Sequence, residues 1–218
     1  MTTPVPRDDP WTRTFYPVDG EDKAFDRVVF FSDAVFAIAL TLMAVEIGIP
    51  EIDDPTSPAQ LWTALVDKVP RLLAFVVSFA WVAFYWRANH RFTTTLRGMS
   101  GRYIAAILVY LGLVALLPVP AGLLGEYWDN PVAVASFALF AALVSSMEVV
   151  LFVVADRQGL FADPITPAFR RQALAGSLTP VVAFVVSMPV AFVSTIAAIA
   201  CWIVLAVGLG WVVNRWVR

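Results

Sequence analysis

From Gln172 to Val213 the chain carries no Asp, Glu, Lys or Arg, an uninterrupted run of 42 residues. As one helix it would measure ~63 Å at 1.5 Å per residue, about twice the ~30 Å hydrocarbon core of a bilayer. A helix that is apolar all round belongs in a large core or in lipid. The run therefore predicts two membrane-spanning helices. Pro189 and the neighbouring Ser194 supply the break, because proline removes a helix hydrogen bond and small polar residues suit a turn. Further charge-poor stretches at 28–47, 72–86 (with a tilted or interfacial lead-in from Leu61), 103–125 and 132–155 bring the expected count to six spans. The composition agrees: 60% of the 218 residues are hydrophobic and only 15% are charged, too few to cover a soluble domain of this size.

The positions of the cations predict an orientation, since cytoplasmic flanks retain an excess of Lys and Arg. Of 15 such residues, all but Lys68 and Arg71 fall before the first span, between the second and third, between the fourth and fifth, or after the last. Both termini are therefore expected in the cytoplasm. An even number of spans requires the same side for both, and the alternation of Lys and Arg between the two sets of flanks agrees with that count. Trp81, Tyr85 and Trp86 precede the basic cluster Arg87, Arg91, Arg97 and Arg102, as aromatic anchors at headgroup level do. The loop with Glu126, Trp128 and Asp129 reads as an outer turn.

Residues 1–26 form a polar, acidic, proline-containing stretch, expected to be a flexible cytoplasmic tail, with 27–218 as one six-helix membrane domain. The first apolar run begins only near Val28, too late for a cleavable secretory signal. A single cysteine, Cys201, excludes a disulfide scaffold and a Cys-based metal centre. One histidine leaves no His pair for a metal, and neither a nucleophile elbow nor a zincin motif nor a phosphate loop occurs. No enzyme activity, cofactor or resident metal is expected. A net charge of −2 gives no footprint for nucleic acid.

The first span is the unusual one. Arg27, Ser32, Asp33 and Thr41 lie within or at the edge of an apolar segment that Glu46 closes. A charge in hydrocarbon costs about 2.5–3.5 kcal/mol on insertion scales, so Asp33 is expected to face protein or water and to have a partner. Arg27 is six residues away, ~9 Å along a helix, so a partner from the second span is more natural, with His90 the foremost candidate. Trp86 and His90 are i and i+4 and share a face. By the topology above, Arg27, Ser32, Asp33, Trp86 and His90 meet at one depth as a polar cluster joining spans one and two. Such a cluster serves either as a structural clamp, with Arg27 in the simplest case only snorkelling to the interface, or as a transport or proton-sensing group. Ile38, Leu42 and Val45 lie on one face at i, i+4 and i+7, with Thr41 alongside; spacing alone reads equally as packing or as pore lining. Glu148, with Ser145 and Ser146, is the other acid inside a span, read as an interhelical hydrogen bond before a proton site.

Arg27-x-x-x-Phe31-Ser32-Asp33, followed by Phe36-Ala-Ile-Ala-Leu-Thr41, resembles the signature of bacterial relatives of the endosomal and lysosomal potassium channel transmembrane protein 175. Trp86-x-x-x-His90-Arg91-Phe92 at the end of the second span is also similar to that family. The resemblance implies an all-α polytopic protein of the cell membrane that assembles as a homotetramer, with the first helix of each subunit around a central pore. It implies passage of potassium, with modest selectivity over other monovalent cations, and the lipid bilayer and further copies of the chain as partners. The family lacks a TVGYG filter, and none occurs in this sequence. By offset from Ser32-Asp33, the constriction is expected at Ile38, Leu42 and Val45 with Thr41 nearby. Glu46, where the outer end of the first helix meets water, reads equally as a charge at the pore mouth or as a solvated helix end. The competing expectation is a proton-coupled secondary transporter or proton leak using Asp33, His90 and Glu148 as a relay.

Overall fold

The computed structural model describes residues 14–19, 23–202 and 204. Its elements are β1 (Phe15–Pro17), α1 (Ala24–Val45), α2 (Pro58–Asp67), α3 (Val69–Thr93), β2 (Gly98–Ser100), α4 (Gly101–Leu116), α5 (Pro118–Glu126), α6 (Pro131–Arg157) and α7 (Pro167–Ala191). Helix resumes at 195 after a turn at 192–194, where Pro189 and Ser194 placed the break. Among the described residues, five helical stretches are long and apolar enough to cross a membrane: Ala24–Val45, Val69–Thr93, Gly101–Glu126, Pro131–Arg157 and Pro167–Ala191. The shortest has 22 residues, ~33 Å at helical rise. Most of the expected sixth span lies outside the described residues.

Helix starts are encoded locally. Ser57, Ser100, Asn130 and Thr166 each accept a backbone N–H of the first turn, and proline stands at the first helical position of α2, α6 and α7. Three expectations change. The lead-in from Leu61 is a separate helix, α2, stopped before Val69–Pro70, and the second span runs on to Thr93 instead of ending near Trp86. The third span is interrupted at Leu117, because Pro118 and Pro120 cannot donate to the preceding turn. The chain is not wholly α, nor is the stretch before residue 27 uniformly a tail: α1 begins at Ala24, and β1 pairs antiparallel with β2, Phe15 opposite Ser100 and Pro17 opposite Gly98. Around that pair, Arg97 N–H donates to Leu160 and Ala162 N–H to Thr95, so the segments between spans knit together at the end of the bundle where the N-terminal segment lies.

α4 packs on α6, and buried Tyr103, Ile107, Tyr110 and Val114 of α4 belong to one core with Ala141, Val144, Leu151 and Ala155 of α6. Alanines on α6 let the helices approach closely, as small residues do in membrane bundles. Trp81, Phe137, Phe184 and Trp202 form an aromatic cluster joining α3, α6, α7 and the helix beyond, and Trp202 Nε1 donates to Ser187 Oγ at 2.7 Å. α1 packs on α3, α4 and α5 through Phe25, Ser32, Phe36, Ala39 and Met43.

Candidate functional site: the two faces of the first helix

The buried residues of α1 recur at spacings of seven, four, three and four, which define one stripe on a helix. On the far side lie Phe31, Ile38, Leu42 and Val45, between 46% and 73% exposed, together with exposed Thr41 and Arg27. Ile38, Leu42 and Val45 thus share a face that is exposed among the described residues. Thr41 Oγ1 donates to the Ile38 carbonyl at 2.8 Å, which commits its proton and leaves its oxygen lone pairs facing outward.

At the flank of this stripe the polar cluster forms in part. Trp86 Nε1 donates to Asp33 Oδ1 at 2.8 Å, and the His90 ring stacks on Trp86 with centroids 5.3 Å apart. The hydrogen-bonding partner of Asp33 is therefore Trp86, where His90 was expected. Axial register explains this: Asp33 lies nine residues, ~14 Å, into α1, whereas Trp86 lies ~10 Å and His90 ~5 Å from the end of antiparallel α3. Ser32 is buried but bonds back to the Val28 carbonyl at 3.0 Å, within its own helix. Arg27 is exposed, and among the described residues no hydrogen bond or ion pair joins its side chain to Asp33. Phe31 lies with the stripe, outside the cluster.

Glu46 caps α1 with its carboxylate against α5, where a Cβ on Gly122 would lie 3.2 Å from Oε2. That is roughly 70–80° around the helix from the centre of the stripe. Nearby Arg71 pairs with Glu126. In the loop that follows, the Thr56 hydroxyl and amide donate to Asp54 and hold its carboxyl below the usual carboxylate range.

The interhelical hydrogen bond expected of Glu148 forms within a buried network between α3, α4 and α6, whose tyrosines were not foreseen: Tyr85, expected as a headgroup anchor, is buried, and Tyr110 was not singled out. Tyr85 Oη donates to the Ala141 carbonyl at 3.0 Å and lies 3.0 Å from Ser145 Oγ. Tyr110 Oη reaches Glu148 Oε1 at 3.3 Å, so Glu148 has an interhelical partner. Tyr110 also packs on Phe36 of α1, centroids 6.0 Å apart. The available signal was the presence of tyrosine hydroxyls inside apolar spans, where each needs an acceptor. No hydrogen bond among the described residues links Asp33, His90 and Glu148 into a relay, and no three His, Cys, Asp or Glu gather as metal ligands among them.

A model of the family described as endosomal/lysosomal potassium channel TMEM175 matches residues 27–118. A potassium channel of Chryseobacterium sp. is 31% identical over 121 residues, 55% of this chain and 59% of that protein. One of Streptomyces collinus is 32% identical over 142 residues, 63% of this chain and 68% of the other. In structure, the chain is similar to the crystal structure of a lysosomal potassium-selective channel TMEM175 homolog from Chamaesiphon minutus. The TM-score is 0.71 with 26% identity, over 87% of this chain and 98% of that one.

Proposed function

Because this chain belongs to the endosomal/lysosomal potassium channel TMEM175 family, a family of channels and not of enzymes, we propose that it passes potassium through a pore lined by α1 of four subunits. The observation that carries this reading is the uncovered face of α1. Ile38, Leu42 and Val45 are exposed in the single chain, yet they stand on a helix whose opposite face is packed throughout its length. Symmetric association around an axis beside that face gives these side chains neighbours and makes them a central lining. Six spans and both termini in the cytoplasm of a cell-membrane protein complete the arrangement, supported by the distribution of Lys and Arg.

Four Ile38 side chains would narrow the pore below the width of a hydrated ion and, being apolar, would empty it of water when closed. Widening would admit ions stripped of part of their hydration. Potassium gives up water more readily than sodium, so an apolar ring followed by Thr41 oxygens favours potassium modestly. Asp33 and Trp86 hold α1 on α3 at the inner end and fix which face of α1 meets the axis. Glu46, at the other end, adds negative charge near the pore mouth.

The test is cation flux into vesicles carrying the purified protein, with potassium, sodium and a large organic cation compared against empty vesicles. Potassium flux above sodium, with the large cation excluded, supports the channel. Flux that saturates and requires a counter-ion would replace it with the proton-coupled transporter using Asp33, His90 and Glu148.

A further inference from the structure

α2 has no buried residue, although it is one of the best-defined helices in the local sequence. Ser57 caps it, Pro58 opens it, and the Asp54 amide donates to the Gln60 side chain at 3.0 Å, which ties the preceding loop to its first turn. Around its axis Leu61, Trp62, Leu65 and Val66 share one face, continued by Val69; Gln60, Thr63 and Asp67 form the other. Both faces are exposed, so the apolar one has no cover among the described residues. Leu61 is 41% exposed, Trp62 70%, Leu65 47% and Val66 49%.

That face continues into an apolar wall. Val69, Leu72, Leu73 and Val76 of α3 are exposed next to it, on a helix long and apolar enough to cross the membrane. One turn deeper, Pro70, Leu73, Val77, Leu124, Trp128 and Ile199 line an open groove of ≈370 Å³. α2 meets the chain where α3 begins, beside the wide indole ring of Trp62, the side chain that suits the headgroup boundary.

We propose that α2 is an interfacial anchor, lying in the leaflet opposite the N-terminal segment with Leu61, Trp62, Leu65 and Val66 in the boundary between headgroups and acyl chains. Its partner is lipid. Continuity of the uncovered face with the membrane-crossing surface of α3 selects lipid over a second copy of the chain, and an amphipathic helix with a polar back is the form that binds such a boundary. Since α2 follows α1 through the loop at 46–57, the lipid interface is mechanically joined to the outer end of α1.

Nitroxide labels on single cysteines at 62, 65, 63 and 67, in a Cys201→Ser background in lipid vesicles, test this by collision with oxygen and with a water-soluble nickel chelate. The oxygen-to-nickel collision ratio is expected to be several-fold higher at 62 and 65 than at 63 and 67. Equal nickel access at all four positions would make α2 a solvent-exposed helix and overturn the proposal. Shielding of 62 and 65 from both probes would also overturn it, in favour of a protein partner such as a second copy. None of these side chains is buried within the chain, so the cysteines open no core; coincident elution of all four variants with the parent confirms that they are folded.

Discussion

An acid placed in an apolar helix must find a hydrogen-bond donor, and Asp33 finds the Trp86 indole at 2.8 Å. Trp86→Phe keeps the ring and removes only the donor. A hydrogen bond to a charged group contributes about 1.5–3 kcal/mol, and with Trp86 38% exposed the lower end applies. Thermal unfolding of the purified variant in detergent should show that loss, while Asp33→Asn, which keeps an acceptor oxygen, should lose less; unchanged unfolding of Trp86→Phe would remove the bond from the stability of the α1–α3 contact. The need for a partner was legible in the sequence, but its identity was not. Trp86 and His90 share a face, and only the depth at which antiparallel α1 and α3 pass each other decides between them. At Ile38 the prediction concerns conduction. Ile38→Asn replaces an apolar ring by hydrated amides, so vesicle flux should rise and the potassium-to-sodium ratio should fall toward one. Unchanged flux would take Ile38 out of the constriction.

Elements that cross the membrane announce themselves through long apolar runs, so α1, α3, α6 and α7 and the break after Pro189 could be read in advance. Three-residue strands carry no period, and β1 and β2 were invisible for that reason. The separate identity of α2 had a signal, Ser57 followed by Pro58, but the segment from Leu61 reads in sequence only as a tilted or interfacial lead-in to the second span. The β1–β2 pair rests on Gly98: an added Cβ would lie 2.6 Å from both Phe15 Cζ and the Tyr16 carbonyl oxygen. A backbone atom cannot step aside as a side-chain tip can, so Gly98→Ala should part the strands. Hydrogen exchange of the Val18 and Gly101 amides, which donate to Arg97 and Thr14 across the pair, should then rise to the rate of open loops. Gly112→Ala, with nothing within 4 Å of the new methyl, is the control and should leave both amides protected.

At the scale of the whole molecule, the proposed assembly rests on α1, whose apolar face is exposed in the single chain. Long lipid-facing stretches also expose apolar side chains, so exposure by itself does not identify a pore; what α1 adds is Asp33, an acid inside the span at the flank of the stripe, which is costly against lipid. The assembly reading predicts a particle of four 23.9 kDa chains by light scattering with detergent subtracted, and it predicts where a soft metal will act. Cysteines at position 42 would converge on the axis as several thiolates within reach of one cadmium ion, since soft ligands favour soft metals. Leu42→Cys in a Cys201→Ser background should therefore give potassium flux that micromolar-range cadmium blocks and a chelator restores. Ala37, also exposed but roughly 100° around α1 from the stripe, supplies the contrast: Ala37→Cys should conduct with cadmium present. Block at both positions would mean that cadmium acts from the surface, and block at neither would place the conduction path away from this face of α1.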